Sequence, residues 1–375
     1  MSDAAPASPP SSRLLALDAL RGFDMMWIVG ADALGGALAR LQGGAPARLA
    51  ATQLEHVAWA GLHAYDVIFP LFIFLMGVAI PFSLDRLIAA GGHREALGRI
   101  TRRTLLLYLL GLFYYGGLAT APDQIRLLGV LQRIALCYGA ASLLYLYLRP
   151  RGLAAVLAGL LVGYWALLTF VPVPGFGPGD FAEGHNLTNW IDAHYLPLRQ
   201  WDGDHDPEGI LSTLPAIATC LLGVFAGRRL RNPACSDRVR VGLLMLTGVV
   251  LLAAGYAWGL QFPLIKKIWT SSFVLVTGGW SMLLLGGFYL VADVWKIRAW
   301  AQPFAWVGSN ALVIYLVSNI VDFNQLSARF TGGAVAGALD ALWPGLGGLI
   351  LALVSIGLCF ALCRFLYQRK IFLRL

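Results

Sequence analysis

Long apolar runs, broken by short basic clusters, dominate the order of polar and apolar positions along this chain. Runs of spanning length fall at 19–39, 66–84, 104–120, 127–148, 152–172, 209–227, 241–260, 268–292, 303–322 and 345–366. A helix needs about 20 apolar residues to cross bilayer hydrocarbon, whereas a membrane barrel shows alternating segments of about ten, a pattern not seen here. The reading is an all-α integral membrane protein, a bundle of about ten transmembrane helices. The basic clusters set its orientation. With a cytoplasmic N-terminus, the inside loops hold Arg86, Arg94, Arg99, Arg102 and Arg103, then Arg149 and Arg151, then Arg228, Arg229, Arg231, Arg238 and Arg240, then Lys296 and Arg298. The tail RKIFLRL adds further positive charge on that side, so both termini are expected in the cytoplasm.

Composition agrees, since 58% of the 375 residues are hydrophobic and 13% charged, against about a quarter charged in soluble domains. The net charge of +8 resides in those loops, which makes it an orientation signal and points away from nucleic acid. Cys137, Cys220, Cys235, Cys359 and Cys363 have no metal-ligand spacing and four lie in apolar runs, so neither a metal nor a disulfide framework is expected. The opening stretch MSDAAPASPPSS lacks the features of a signal peptide and reads as a disordered tail over residues 1–12, with one membrane domain over 13–375. The outside segment at about 173–208, rich in Gly, Pro and Asp, carries seven acids against the single Arg199. A loop of that length reads as a periplasmic cap over a site.

Several ionisable residues stand where lipid should be, and such residues usually face a protein interior or a wet cavity. The first run, LDALRGFDMMWIVGADALGG, contains Asp18, Arg21, Asp24 and Asp32, of which Asp18 and Arg21 share a helix face and suit a structural pair. In LEHVAWAGLHAYDVIFPLFIFLMG, His56 precedes the second run and Asp66 lies in its first turns. A neutral imidazole takes a proton or attacks a carbonyl near pH 7, and a carboxylate fixes its tautomer. A histidine at a membrane surface is also a common interfacial residue, and His63 offers the same chemistry. Ten residues separate Asp66 from His56, too far to touch along one helix without a bend, for which Gly61 is a place. Asp32 is therefore the expected partner of His56, and Asp66 the expected partner of a basic group. Gln132 and Arg133 lie in the fourth run, Lys266 and Lys267 at the outer start of the eighth, where they suit an anionic ligand or pairing with Asp24, Asp32 or Asp66. In DPEGILSTLPAI, Asp206 and Pro207 read as a helix cap and first position, with Glu208 at the positive helix end.

Taken in order, LDALRG at 17–22, EHVAWAG at 55–61 with DVIFPLFIFLMG at 66–77, LGVLQRIALCY at 128–138, DPEGILSTLPAI at 206–217, KKIWTSSFVL at 266–275 and GSNALVIYL at 308–316 resemble the heparan-α-glucosaminide N-acetyltransferase family. These transmembrane acyltransferases include a lysosomal enzyme and many bacterial proteins. The resemblance covers nearly the whole chain and implies transfer of an acetyl group from cytoplasmic acetyl-CoA to an amino sugar or glycan on the far side of a bacterial inner membrane. It also implies a homodimer. His56 matches the family's essential histidine ahead of Trp-x-Gly; Asp32 and Asp66 complete the catalytic set. Arg21, Gln132, Arg133, Lys267, Ser271 and Asn310, within the matching blocks, are assigned to acyl-CoA on the same resemblance. Two departures bear on the acceptor: Asp32 replaces an Asn of the lysosomal enzyme, and Trp59-Ala60-Gly61 replaces Trp-Asn-Gly, removing side-chain amides. Without that enzyme's extra lumenal domain, heparan sulfate is not the expected acceptor.

The competing reading is a sugar transporter, with or without proton coupling or joined acetylation, with Asp24, Asp32, Asp66 and Arg133 as its relay or substrate contacts. No internal repeat of the kind many transporters carry is visible.

Overall fold

The computed structural model describes residues 14–373, so the expected tail at 1–12 lies outside the described residues. All ten apolar runs fall on helix. They become α1 (Leu15–Arg40), two runs on α3 (Ile68–Tyr114), then α4 (Val130–Tyr147), α5 (Pro150–Phe170), α7 (Thr213–Arg231), α8 (Asp237–Gly259), α9 (Ser271–Phe288), the pair α10 (Ala301–Ser309) and α11 (Ala311–Ile320), and α14 (Leu346–Gln368). Short helices α2 (Gly44–Gln53), α6 (Leu187–Tyr195), α12 (Phe323–Thr331) and α13 (Ala334–Leu342) lie between them. Among the described residues no β-strand forms beyond two isolated bridges.

Among the described residues, seven helices are long and apolar enough to cross a membrane, or eight if α10 and α11 count as one span bent by 71°. The differences from the ten sequence runs have local causes. The long helix α3 carries two runs and is interrupted at Gly92, whose φ of 74° only glycine adopts without strain. In α1, Asp18, Arg21, Asp24, Asp32 and Arg40 interrupt the apolar character while leaving the helix whole. The α10–α11 bend falls at Asn310.

The helices sort by depth. The apolar windows of α3, α4, α7 and α9 are mostly buried inside the protein, while those of α5, α8 and α14 are mostly exposed, as helices against lipid must be. Glycines allow the inner helices to meet backbone to backbone. A Cβ at Gly223 of α7 would lie 2.0 Å from the Phe74 carbonyl oxygen of α3, and one at Gly77 of α3 would lie 2.0 Å from that of Cys220. Close approach through small residues is the usual way helices associate where lipid removes the hydrophobic drive. Gly22 and Gly308 do the same for α1 against α10, which sets the inner half of α1 beside the bend at Asn310.

Candidate active site

His56 and Asp66 meet because the chain between them does not continue as helix. Residues 56–63 form a loop after α2, and Gly61 turns it with a φ of 128° while its N–H donates to the Leu264 carbonyl at 2.9 Å. A 3₁₀ turn, Ala64–Val67, then leads into α3. The fold back closes on Asp66. One carboxylate oxygen lies 2.8 Å from His56 Nδ1, and the other accepts the backbone N–H groups of His63 at 3.0 Å and Val57 at 3.3 Å. With Nδ1–H donating to Asp66, the Nε2 lone pair is available for chemistry. Asp66 itself is buried, 1% exposed, whereas His56 is about half exposed.

This overturns the expected pairing. Asp66, rather than Asp32, orients the imidazole, because the Gly61 turn supplies the bend that a continuous helix would lack. Asp32 is exposed and reaches the hydroxyl of Tyr65, whose ring stacks flat on His56 with centroids 4.3 Å apart. Asp32 thus touches the histidine only through that ring. The other half of the expectation for Asp66 holds, since Lys266 Nζ is 3.4 Å from it.

Lys266 arrives from the α8–α9 connection, held by a bridge between Ala60 and Ile265. Its Nζ lies 2.9 and 3.0 Å from the two ring nitrogens of His56. Burial pulls this ammonium below the ordinary lysine range, against the opposing pull of Asp66 and Glu208.

Below this centre a cavity of about 570 Å³ runs along α3, lined by Phe69, Phe72, Met76 and Ala79 and ending among Arg21, Arg86, Arg99 and Arg103. From Phe69 to Arg86 a helix rises about 25 Å, and Phe69 is about one turn beyond Asp66. The apolar wall of this cavity thus comes within about one helical turn of Asp66, and four arginines line it farther on. Arg21 also lies 3.6 Å from Asp18, the pairing anticipated on one helix face.

Of the six residues assigned to a cofactor, only Arg21 lines this cavity. Asn310 sits at the α10–α11 bend, between lining residues Ser309 and Ala311, and its amide nitrogen donates to the Trp306 carbonyl at 3.4 Å. The other four belong elsewhere. Gln132 donates to the Arg126 carbonyl at 3.3 Å, and Ser271 Oγ to the Leu161 carbonyl at 2.7 Å. Arg133 is fully buried, bonded to Ser212 and stacked over Trp269 at 5.0 Å. Lys267 points into the outer cap, 2.6 Å from Glu183 and 3.0 Å from Asp202. These side chains are polar because they fasten buried backbone and loops together, which residue type alone does not distinguish from ligand binding.

A second cluster escaped the sequence reading. Arg126 makes two bonds to Asp206, at 2.8 and 2.6 Å, and one to Glu208 at 2.5 Å, with its guanidinium between the Tyr115 and Trp201 rings. These carboxylates hold Arg126 above its ordinary range, after the opposing effect of burial. Asp206 is therefore not the cap of α7, which begins at Thr213; it caps a local turn through the Glu208 N–H at 2.9 Å, accepts the Trp201 N–H at 3.1 Å and pairs with Arg126. Asp192 of α6 accepts the N–H of Ile210 at 2.9 Å beneath this turn, and burial pushes its carboxyl up to about 6.

Apolar helices of spanning length, an ionisable centre at the start of α3 and an arginine-lined cavity along that helix mark a multi-pass membrane protein with a candidate reaction site. Its relatives place it further. The family described as a domain of unknown function, DUF5009, matches residues 13–166. Human heparan-alpha-glucosaminide N-acetyltransferase is 28% identical over 368 residues, covering 83% of this chain and 53% of the human protein. The mouse protein of the same name is 26% identical over 325 residues, covering 72% of this chain and 49% of its own length. The chain is thus similar to the heparan-α-glucosaminide N-acetyltransferases, the likeness its ordered motifs imply, and spans about half the length of the curated relatives it matches.

Proposed function

We propose that this protein is a transmembrane acyltransferase that moves an acetyl group from cytoplasmic acetyl-CoA to an amino sugar or other glycan at the periplasmic face of a bacterial inner membrane. The observation that carries this reading is the cavity, which is lined by four arginines and reaches Phe69, about one helical turn from Asp66 of the His56–Asp66 centre. An acyl-CoA has the matching form, an anionic nucleotide on a long, narrow arm ending in a thioester. Arg21, Arg86, Arg99 and Arg103 suit its phosphates, and the Phe69–Met76 wall suits the arm. The named activity of the relatives agrees.

In the reaction, the acceptor nitrogen or oxygen attacks the thioester carbonyl, the C–S bond breaks, and CoA leaves as the thiolate. His56 Nε2 takes the acceptor's proton, or first carries the acetyl group itself, while Asp66 stabilises the positive charge that develops on the ring. Lys266 lies where it can stabilise the carbonyl oxygen as it becomes anionic. Ten spans, both termini in the cytoplasm, a single acyltransferase unit over 13–375 and a homodimer complete the proposal. A transporter is less well supported: Asp66 is committed to His56 and Lys266, and Asp32 stands exposed.

The test is transfer of labelled acetyl from acetyl-CoA to a panel of amino sugars by purified protein, with products identified by mass spectrometry. His56→Ala should lower the rate at least about 10²-fold, the usual scale for loss of a base or nucleophile, while CoA binding by calorimetry persists. Near-normal transfer by His56→Ala, or no acyl-CoA binding by the wild type, would reject the reading.

A further inference from the structure

The outer cap contains a side-chain arrangement that acyl transfer does not require. His205 is 4% exposed, and its Nδ1 lies 2.7 Å from Asp204 Oδ1. A neutral imidazole that donates from Nδ1 presents a bare lone pair at Nε2. That lone pair has no hydrogen-bond partner among the described residues, and it faces two carboxylate oxygens, Glu183 Oε1 and Asp202 Oδ2, each 3.5 Å away. Three acceptors converging on one point call for a cation, and the Lys267 ammonium, 2.6 Å from Glu183 and 3.0 Å from Asp202, serves the carboxylates while Nε2 is left without a hydrogen bond.

We propose that Glu183, Asp202 and His205 form a divalent-cation site in the outer cap, of a kind suited to zinc. The oxygen and nitrogen ligands of tetrahedral zinc lie about 2.0–2.2 Å from the metal, which separates neighbouring ligand atoms by about 3.4 Å. The ligand atoms of these three residues all lie within 4.8 Å of one another, and both edges from His205 are 3.5 Å. The Asp204 contact supplies what a metal-binding histidine usually has, a carboxylate on its far nitrogen that fixes tautomer and ring orientation. One position remains for water.

Lys267 is the internal competitor. Its ammonium holds the same two carboxylates at 2.6 and 3.0 Å, so bound metal must displace it or share them. Glu183 precedes α6 and the other two ligands follow it, so the metal would close the cap across its own helix. The cap adjoins the His56 segment, because the Trp59 indole N–H donates to the Phe181 carbonyl at 2.9 Å. The site stands on this geometry and does not depend on the acyltransferase reading.

The experiment uses the full-length protein in detergent, stripped with chelator and then titrated with Zn²⁺ by calorimetry and with Co²⁺ by visible absorption, which reports tetrahedral coordination. We expect one metal per chain. Affinity should fall at least tenfold in both His205→Gln and Asp202→Asn and rise about tenfold in Lys267→Met, where the competing ammonium is gone. Thermal melts establish that each variant is folded, and the partly exposed Asp202 keeps the test decisive if His205→Gln is not. Absence of binding in both the wild type and Lys267→Met, binding indifferent to Asp202→Asn, or no gain in Lys267→Met would each overturn the site.

Discussion

At the scale of single residues, the identity of the group that orients His56 separates two chemistries. Asp66 holds the ring directly at 2.8 Å and is itself fixed by two backbone N–H groups, so it is both aligned and unable to swing away. Asp32 acts only through Tyr65. Replacing Asp66 by Asn retains the shape but removes the charge that stabilises a protonated or acylated ring, and it also strips Lys266 of a counter-charge. Asp66→Asn should therefore reduce turnover by at least about 10²-fold, while Asp32→Asn should stay within about tenfold. Steady-state acetyl transfer by the two variants measures this directly. A larger loss in Asp32→Asn would return the orienting role to Asp32.

Among the elements, the crossing of α3 and α7 sets the frame. Gly77, Gly223 and Gly227 let the two backbones approach until a methyl group on any of them would fall 2.0 to 2.3 Å from a carbonyl oxygen. Rigid backbone cannot yield as the end of a side chain can. Gly223→Ala should destabilise the protein by about 1–3 kcal/mol, the usual cost of overpacking, and lower its melting temperature in detergent. Gly159→Ala on peripheral α5 is the control, because nothing lies within 4 Å of the added methyl. Equal melting temperatures for the two variants would show that the crossing is looser than drawn. The same crossing positions the α3 face that lines the cavity, so Gly223→Ala should also weaken acyl-CoA binding.

For the whole molecule, the proposed function depends on the cavity along α3 that holds Arg21, Arg86, Arg99 and Arg103 and reaches Phe69. Ala79 lines the cavity about midway between Phe69 and Arg86. An indole there fills the narrow part without touching His56 or the arginines. Ala79→Trp should weaken acetyl-CoA binding more than tenfold by calorimetry while leaving the His56 centre assembled. Binding should also weaken with added salt, because the arginine mouth acts through charge that salt screens. Unchanged affinity in Ala79→Trp would place the acyl donor outside this cavity.

What the sequence determined by itself is everything written in short-range pattern. Apolar runs of spanning length specify helices in lipid because backbone polar groups must be satisfied within the segment, and all ten runs lie on helix. Motif order was enough to reach the family, and the Trp-x-Gly context singled out His56. Tertiary structure alone decided which ionisable groups meet. The Gly61 turn brought Asp66 to His56, and the Ala60–Ile265 bridge brought Lys266 from 210 residues away. Arg86, Arg99 and Arg103 read only as orientation signals, and they became the mouth of a cavity when α1 and α3 packed. Arg133 and Ser271 carried the residue types of ligand contacts, and in the fold they bond the Ser212 hydroxyl and the Leu161 carbonyl. Periodicity records which face of a helix is apolar. It holds no record of which polar side chain on a distant segment will lie within 3 Å, because that depends on how loops turn and how closely helices cross.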